Sequence, residues 1–541
     1  MGVVPAHNGW RCADGLRGTV PGAFPSLTPP KSALSGSNDY RTANSKLFIA
    51  LFRAPFRPEP HPCHPDTPRH VVADAARRRR AVVAGDGSDV SSSLSVIDAA
   101  AAAAANPALA STLDNTDAFW SENEEDHCEG EYAAEATGPP HVGRQSNVAL
   151  RIDGEWYDCA GWARAHPGGG HFVRLLHGRD ATDVFYALHS NGANGDDTAT
   201  RRLKALPRCD APAGALTLDD IDPKTAAACR SFGELRAKLE ADGWFRRDPL
   251  KEAAALANVL GLCLAGSIVA WTGGPTIVAA LLVGFGMQQA GWLGHDYIHG
   301  RGRLCDSLRG FATWINGHSA EWWTQKHSMH HSFTNEHGKD QDITMEPVLW
   351  VAPPGETGAV DSSVRKWQHW YGYPLMSITF WLWRMDSVSS ILARRDWAEA
   401  LGVALNLVWL ASLGPVVAVG AITWAGLLVG SIVTATHQSE PLDYEQGEFV
   451  DVQFRSTRDA DVGTWPLGKW LWGGMDVQLE HHLFPTMPRY NYHKLRPLIQ
   501  EWAAAQNGAI EYKISPAMTI LRDNWETLRA GALGPAVPAH P

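Results

Sequence analysis

The sequence Gly294-His295-Asp296-Tyr297-Ile298-His299 places two histidines four residues apart at the end of a long apolar run. Residues with this spacing lie on one face of an α-helix, so both imidazoles are expected to project to the same side. Residues 253–294 include no charged side chain. Such a run is long enough for two membrane spans of roughly twenty residues each, and Gly273-Gly274-Pro275 is the expected turn between them.

Two later stretches repeat the histidine pattern: Lys326-His327-Ser328-Met329-His330-His331 and Gln478-Leu479-Glu480-His481-His482. A second uncharged run, residues 400–439, predicts another pair of spans with a turn near Gly420. Residues 367–383 are also uncharged, but this run is shorter and rich in Trp and Tyr. An interfacial or re-entrant helix is therefore expected there. The predicted membrane topology is four spans in two hairpins.

Basic residues flank the two predicted hairpins, whereas the hairpin turns contain none. The flanking residues are Arg246, Arg247, Lys251, Arg301, Arg303, Arg309, Lys326, Arg394 and Arg395. Lys and Arg favour the cytosolic side of a membrane. Both ends of the membrane region and its large central loop are therefore expected on the cytosol-like face. All three histidine stretches fall on that same face.

The density of histidines on one membrane face indicates a metal site. Imidazole is a ligand for iron, zinc and copper, and a cluster of this size could hold two metal ions. His437 ends the fourth predicted span and is a further candidate ligand, because ionisable residues inside membranes are usually functional. Asp296 and Glu480 are expected to orient the rings by accepting their second N–H. The alternatives are a zinc site, an incidental cluster and, for His437, a histidine satisfied at the interface.

Other features narrow the function by exclusion. His318, His337 and His369 lie outside the motifs and are expected at the surface or around the site. The eight Cys form no CxxC pair, so neither a zinc ribbon nor a disulfide framework is indicated. The net charge of −11 gives no reason to expect a nucleic-acid partner. Twenty-three Trp suit a membrane–water interface.

A different module precedes the apolar runs. Residues 148–152 alternate in polarity like a short strand, and Gly154-Glu155-Trp156-Tyr157 predicts a turn and a second strand. His166-Pro167-Gly168-Gly169-Gly170 puts a histidine in a tight turn with its ring free to project. His189 can approach that ring from the opposite side of a small helical cup. Two neutral imidazoles on opposite faces of a porphyrin make a six-coordinate haem, which transfers electrons and has no open position for oxygen.

This segment resembles cytochrome b5, in which a haem ligand lies in an HPGG motif. The resemblance implies that His166 and His189 are the axial ligands of a haem b. His171 and His177 compete for the second position, but the spacing and the preceding Asp180-Ala181-Thr182 fit His189 better. The remaining alternative is a small module with a histidine in its turn and no haem.

The three stretches, written HxxxH, HxxHH and QxxHH, resemble the histidine boxes of the membrane-bound fatty acyl desaturases. The segments Trp322-Trp323-Thr324-Gln325-Lys326-His327 and His482-Leu483-Phe484-Pro485-Thr486-Met487-Pro488 are also similar to that family. With a cytochrome b5-like module, and Gln478 where most relatives have His, the chain resembles the front-end branch. The resemblance implies that the histidine boxes hold two irons. With His437, which its place at the end of the fourth predicted span adds, the expected iron ligands are His295, His299, His327, His330, His331, His437, Gln478, His481 and His482. Gln478 is expected either to ligate through its side-chain oxygen or to act beside the ligands.

The resemblance implies a mainly α fold, a polytopic four-span membrane di-iron desaturase with an N-terminal α+β cytochrome b5-like domain. The expected divisions are residues 1–140 as a disordered segment or transit peptide, 145–205 as the haem domain, 206–250 as a linker, 251–520 as the desaturase domain and 521–541 as a tail. An over-extended gene model is another explanation of the first segment. The endoplasmic reticulum membrane is the expected location, with the b5 domain and boxes cytosolic, and the plastid envelope is the alternative.

The implied reaction is a front-end desaturation of the Δ4, Δ5 or Δ6 type. NADH-cytochrome b5 reductase would supply electrons to the haem, and the haem would reduce two iron ions one electron at a time. O2 would then serve to remove two hydrogens from adjacent methylenes of a polyunsaturated acyl lipid or acyl-CoA, giving a cis double bond. A b5-fused hydroxylase, a sphingolipid long-chain-base desaturase and a haem-binding membrane protein without enzymatic activity are the alternatives.

Overall fold

The computed structural model describes residues 146–189, 192, 196–343, 345–443 and 447–534. The prediction of disorder or a transit peptide for residues 1–140 lies outside this range. Within it helices predominate, and each of the two small sheets has two strands. The mainly α fold class is therefore confirmed for the described part of the chain.

The helices and strands are numbered here in chain order. They are β1 Ala149–Ile152, β2 Glu155–Asp158, α1 Ala160–Ala163, α2 Gly170–Leu175, α3 Thr182–Leu188, α4 Thr198–Ala205, α5 Pro223–Ala241, α6 Pro249–Trp271, α7 Thr276–His299, α8 Arg303–Asn316, α9 Ala320–Ser332, α10 Pro354–Thr357, α11 Gln368–Leu375, α12 Thr379–Arg394, α13 Trp397–Ser412, α14 Pro415–Gln438, α15 Phe449–Ser456, β3 Asp459–Asp461, α16 Pro466–Trp472, α17 Gln478–Leu483, α18 Tyr492–Ala504, β4 Ile514–Pro516 and α19 Ala517–Leu533.

The N-terminal module is a β-hairpin followed by four short helices. β1 and β2 pair antiparallel, beginning with Ala149 opposite Asp158. The turn between them includes Gly154 at a positive φ of 82°, a conformation that glycine adopts without strain. The helices α1–α4 fold back on this hairpin and leave His166 and His189 facing each other. This is the α+β arrangement that the sequence predicts.

The connector between the module and the membrane region is folded and packed. Asp222 caps α5 by accepting hydrogen bonds from two backbone amides of its first turn, donors that have no partner within a helix. Phe232 of α5 is almost fully buried and packs on Phe484 and Trp502. Through α5 this connector therefore joins the core of the C-terminal part.

Three helices in the described ranges are long and apolar enough to cross a membrane: α6, α7 and α14. α13 is apolar but has only 16 residues. The turn between α6 and α7 lies at Gly273-Gly274-Pro275, as predicted. The turn predicted near Gly420 is wrong, since Gly420 lies inside α14. The chain turns instead at Leu413 and Gly414, because Gly414 has a positive φ and Pro415 opens the next helix.

Glycines allow these apolar helices to approach closely. A Cβ at Gly266 of α6 would come within 2.7 Å of the Val283 side chain on α7. A Cβ at Gly284 of α7 would come within 2.9 Å of Trp424 on α14. Small residues at helix contacts are typical of membrane proteins. α6, α7 and α14 therefore form a tight scaffold, from which several of the candidate ligands project.

Trp367 ends a 3-10 turn, and residues 368–383 are divided between α11, a second 3-10 turn and the start of α12. The segment lies against α14, where a Cβ at Gly430 would meet the Thr379 hydroxyl at 2.6 Å. Neither α11 nor α12 is among the candidate spans of the described chain. This agrees with the non-spanning segment that the sequence predicts.

The C-terminal helix α19 crosses the domain boundary predicted at residue 520. Ile520 and Leu528 are buried in the core. The Arg365 guanidinium also donates hydrogen bonds to the carbonyls of Ala532 and Gly534 at 3.2 Å each. The prediction that residues 521–541 form a tail is therefore wrong for residues 521–534, which are part of the packed domain.

Candidate metal and haem sites

Each histidine stretch lies at the end of a helix. His295 and His299 occupy the last two turns of α7, which ends at His299 and is followed by Gly300. The second stretch forms the last turns of α9, whose N terminus is capped by the Ser319 side chain. The third stretch forms α17, and His437 lies in the last turn of α14. The packing of four helices therefore fixes where the rings point.

Five imidazoles form the first cluster. Their ligand nitrogens lie within 4.8 Å of one another, and all five side chains are buried. The members are His295, His299, His327, His331 and His481. Nε2 of His327 lies 2.7 Å from Nε2 of His295 and 3.2 Å from Nε2 of His331. Nε2 of His299 and Nε2 of His481 have no hydrogen-bond partner in the described ranges. Convergent buried nitrogens of this kind fit a metal ion that takes their lone pairs.

A second cluster contains His330, His437 and His482, again with ligand nitrogens within 4.8 Å. The amide end of Gln478 completes it, because the amide nitrogen lies 3.0 Å from Nε2 of His437 and 3.4 Å from Nε2 of His482. Rotating that amide by half a turn presents its oxygen to the same space. Gln478 is therefore in a position to ligate, which the sequence left open.

The two clusters adjoin each other. The rings of His331 and His482 stack with their centroids 4.2 Å apart, one from each cluster. All nine side chains that the sequence nominated as ligands are thus brought together, but they divide into two groups. The sequence predicts a dense cluster without this division. Two separate sets of neutral nitrogen donors fit two metal ions held side by side.

Side chains around the clusters orient the rings. Asp342 accepts a hydrogen bond from Nδ1 of His327 at 2.8 Å. Gln453 joins two stretches, since its oxygen lies 2.8 Å from Nδ1 of His482 and its amide nitrogen donates to the His331 carbonyl at 3.0 Å. Partners of this kind fix the tautomer and the direction of a ligand ring. His327 and Asp342 also form a possible ligand group with His330, but both Nδ1 atoms of these histidines are already bonded to carboxylates.

The prediction that Asp296 and Glu480 orient the rings is wrong, because both carboxylates are bonded elsewhere. Asp296 accepts two hydrogen bonds from Arg247 at 3.1 Å each. Glu480 accepts a hydrogen bond from the Tyr512 hydroxyl at 2.7 Å. Adjacency in sequence placed both acids beside ligands, but on a helix the neighbouring residue points to a different face.

Burial keeps the rings neutral. Desolvation, followed by the neighbouring imidazoles, lowers the pKa of four histidines outside the membrane helices well below the usual value. They are His327, His331, His481 and His482. A neutral imidazole has a free lone pair, which is the form that binds a metal ion.

The haem module pairs His166 with His189. Their ring centroids are 5.9 Å apart, and Nδ1 of His189 donates to the Phe185 carbonyl at 2.9 Å, which leaves Nε2 to face the gap. Burial lowers the pKa of His166 to about 4 and that of His189 to about 3. Two neutral rings facing each other across such a gap fit the axial ligands of one iron.

The two competing histidines of this module do not reach that gap. His171 and His177 are both exposed. Nδ1 of His177 accepts a hydrogen bond from the backbone amide of Ala149 at 2.9 Å, which ties it to β1. The structure therefore favours His189 over both as the partner of His166.

Sequence reasoning missed several residues around the metal clusters. Asp340, Asp342 and Gln453 contact ligand rings directly. The two acids follow the second histidine stretch within a dozen residues, and that proximity was the available signal. His318 was expected at the surface or around the site, but it is fully buried, with its ring 4.8 Å from that of Phe380. It belongs to neither metal cluster.

Comparison with known proteins finds relatives of both parts of the chain. The fatty acid desaturase family model matches residues 270–513, and the cytochrome b5-like heme/steroid binding domain model matches residues 140–211. An acyl-lipid 8-desaturase of Rebecca salina is 30% identical over 428 residues, which cover 73% of this chain and 96% of that protein. The chain belongs to the fatty acid desaturase family. The predicted front-end desaturase with its fused cytochrome b5 domain is thereby confirmed.

Other relatives of this desaturase carry related names. A Delta(6)-fatty-acid desaturase of Caenorhabditis elegans is 27% identical, with 67% of this chain and 91% of that protein covered. A Delta(8)-fatty-acid desaturase of Euglena gracilis is also 27% identical, with 64% and 87% covered. The enzyme class predicted from the histidine boxes, a desaturase of the oxidoreductase group, is confirmed as well.

Proposed function

We propose that this desaturase introduces a cis double bond near the carboxyl end of a polyunsaturated acyl chain carried on a membrane lipid. The observation that carries the proposal is the pair of adjoining histidine clusters at the ends of α7, α9, α14 and α17. The acyl-lipid carrier is suggested by the name of the Rebecca salina relative. The names of several relatives, which specify positions 5, 6 and 8, support desaturation close to the carboxyl group.

The residues proposed to hold the metals follow the two clusters. One iron would take nitrogens from the five-histidine cluster, and the other from His330, His437, His482 and the Gln478 oxygen. Two such irons would activate O2 for the oxidation of an unactivated C–H bond. The chain's own contribution is to hold neutral rings in place, to orient them through Asp340 and Asp342, and to exclude water by burial.

The electron balance is that of an oxygen-dependent desaturation. O2 accepts four electrons and four protons and becomes two molecules of water. Two of these electrons and two of the protons come from adjacent methylenes, and the double bond forms between their carbons. The other two electrons are proposed to come from NADH through cytochrome b5 reductase and the haem held by His166 and His189. The matching protons come from solvent.

The proposed topology has four spans, with α13 as the fourth and shortest. Basic residues next to α6 and α13 support a cytosolic position for the haem module and the histidine clusters. The proposed location is the endoplasmic reticulum membrane, where the reductase would be within reach. Expression of a fluorescent fusion of the full chain tests this, and a signal at the plastid envelope would contradict it.

Expression in a yeast that makes no polyunsaturated acids, fed with several such acids, tests the reaction. A new product with one more double bond near the carboxyl end is expected in the lipid fraction. His331→Ala should abolish it, whereas His369→Ala, outside both clusters, should not. A hydroxylated product, or a change confined to long-chain bases, would overturn the proposal.

A further inference from the structure

The haem module and the second histidine stretch share one hydrophobic core. Met329 and Phe333, at the end of α9, are buried in the same cluster as Phe172 and Leu176 of the module. The rings of Phe172 and Phe333 meet edge to face with centroids 6.4 Å apart. A core shared in this way holds two parts of a chain in one fixed arrangement.

The same contact connects a haem-ligand candidate with a metal-ligand candidate. The Phe172 ring lies 5.9 Å from the ring of His166. Phe333 follows His331 by two residues and caps the C terminus of α9. The aromatic pair therefore lies between the first axial ligand and the second histidine stretch.

Arg301 makes the corresponding link for the other axial ligand. One end of its guanidinium, Nη2, donates to the Leu188 carbonyl at 2.6 Å, and the other, Nη1, donates to the Ile298 carbonyl at 3.0 Å. Each of these carbonyls belongs to the peptide bond that leads into a ligand candidate, His189 in one case and His299 in the other. A single planar cation thus bridges the backbone of the haem ligand and that of the metal ligand.

Polar contacts away from the site hold the module in the same position. Arg236 of α5 donates to Asp183 of α3 at 2.8 Å, with both side chains mostly buried. The connector is tied to the module by backbone bonds, from the Asp158 amide to the Pro207 carbonyl at 2.8 Å and from Leu216 to Gly178 at 2.8 Å. If the connector were flexible, the polar groups that make these contacts would be exposed to water.

We infer that the haem module works permanently docked, and that Arg301 is a positioning residue that carries the electron path between His189 and His299. The inference rests on the proposed function. In each transfer the haem would give up one electron and be oxidised, and one metal ion would accept that electron and be reduced. No bond forms or breaks, and the reductase replaces the electron. Two transfers accompany each double bond.

Arg301→Gln tests the path in the purified full-length protein, with Arg303→Lys as the matched control at an exposed neighbouring position. Haem absorbance and bound iron should match wild type in both variants. Reduction of the haem by NADH and reductase should also be unchanged. Reoxidation of the reduced haem, followed by stopped-flow absorbance after adding substrate and O2, should slow several-fold in Arg301→Gln alone. An unchanged reoxidation rate would overturn the path through Arg301.

A single turnover separates this inference from the function on which it rests. The metals are first reduced with dithionite, and substrate and O2 are then added. Arg301→Gln should form as much product as wild type, because the path is bypassed. Loss of that product in the variant alone would mean that Arg301 supports the site itself and would overturn the inference. Failure of wild type to form product would instead count against the proposed function.

Amide hydrogen exchange along α3 measures separately whether the haem module is docked. Arg236→Gln should speed exchange there by removing the contact with Asp183, whereas Arg230→Gln, at an exposed pair with Asp219, should not. Phe333→Leu, which keeps the apolar burial but removes the ring, is a second test variant and should also slow haem reoxidation. Rapid exchange along α3 in wild type would mean a mobile module and would overturn permanent docking.

Discussion

Asp340 accepts a hydrogen bond from Nδ1 of His330 across 2.8 Å, and both side chains are almost fully buried. The bond directs Nε2 of the same ring toward Nε2 of His437, 3.3 Å away. Asp340 also accepts a hydrogen bond from the backbone N–H of Asn335 at 2.9 Å, which fixes the carboxylate itself. One carboxylate therefore determines the orientation of a ring in the second cluster.

Replacing Asp340 should weaken metal binding without removing a ligand. Asp340→Ala is expected to lower iron affinity by roughly 10–100-fold, the usual effect of losing a partner of a ligand ring. Asp340→Asn should have a smaller effect, because its oxygen can still accept the N–H. Competition with a chelator measures the affinity. Glu526→Gln, in an exposed pair with Arg529, is the control, and equal affinities for Asp340→Ala and wild type would contradict the assignment.

The division into two clusters predicts separable losses of iron. His331→Ala should empty the five-histidine cluster preferentially, and His437→Ala should empty the other. Each variant should therefore keep about one iron per haem where wild type holds two. Elemental analysis normalised to haem absorbance gives this ratio, and His369→Ala should keep both irons. A complete loss of iron in each single variant would show one indivisible site.

Substitutions of Gln478 test whether its side chain ligates iron in the second cluster. Gln478→His supplies a nitrogen donor in the same place, so it should retain both irons. Gln478→Leu has a similar volume but no donor, so it should lose iron from this cluster. Wild type and Gln478→His are expected to have equal iron contents, and Gln478→Leu is expected to have a lower one. Full iron content in the Leu variant would mean that Gln478 acts beside the ligands only.

Glu448 should make a contribution to the stability of the docked module that is lost as pH rises. Burial, and then Asp180, raise the pKa of Glu448 to about 7, with Arg179 opposing. Because the folded pKa lies above the unfolded value of 4.5, this contribution is full below 4.5 and falls as pH rises toward 7. Burial also raises the pKa of Glu336 at the same contact, where Lys339 and Arg179 oppose.

Thermal loss of the haem absorbance measures this dependence. The midpoint of wild type, taken relative to that of Glu448→Gln, should decrease as pH is raised from about 5 to about 8, because the buried histidines contribute equally to both proteins. Glu448→Gln cannot ionise, so its midpoint lacks this contribution over the same range. Glu511→Gln is the control, because Glu511 is exposed. An identical pH slope in wild type and Glu448→Gln would contradict the burial of an ionising Glu448.

The C-terminal helix α19 should be needed for stability. Leu528 is 2% exposed, whereas Leu533 in the same helix is 66% exposed. Leu528→Ala is expected to cost about 2–5 kcal/mol, and Leu533→Ala less than about 0.5 kcal/mol. Thermal denaturation in detergent, followed by size-exclusion chromatography, compares them. Equal midpoints for the two variants would mean that α19 is not packed as described.

Sequence spacing was enough to nominate the site, because each histidine stretch carries its own local pattern. The i, i+4 spacing of His295 and His299 fixed their common face, and the apolar runs gave the helices that present the stretches. The resemblance to desaturases then supplied iron and Gln478. What each stretch does is largely a local property, so the ligands could be found one stretch at a time.

The relations between stretches could not be found in that way. Whether His331 groups with His299 or with His437 depends on helix packing, which brings residues more than a hundred positions apart into contact. The turn at Gly414 was missed although Gly414-Pro415 carries the same Gly-Pro signal as the first hairpin turn, because Gly420 lies at the middle of the uncharged run. Asp296 was misassigned, since Arg247, far away in sequence, takes its carboxylate.

The shared core at Phe333 also has a consequence for protein quality control. A chain whose haem module fails to fold leaves the Phe333 and Met329 side chains uncovered at the end of α9. Exposed apolar surface of this kind is what chaperones and proteases recognise. A chain with an unfolded haem module, which could not receive electrons, would therefore be degraded preferentially. The chains that remain in the membrane would be those in which the haem module and the desaturase domain are both folded.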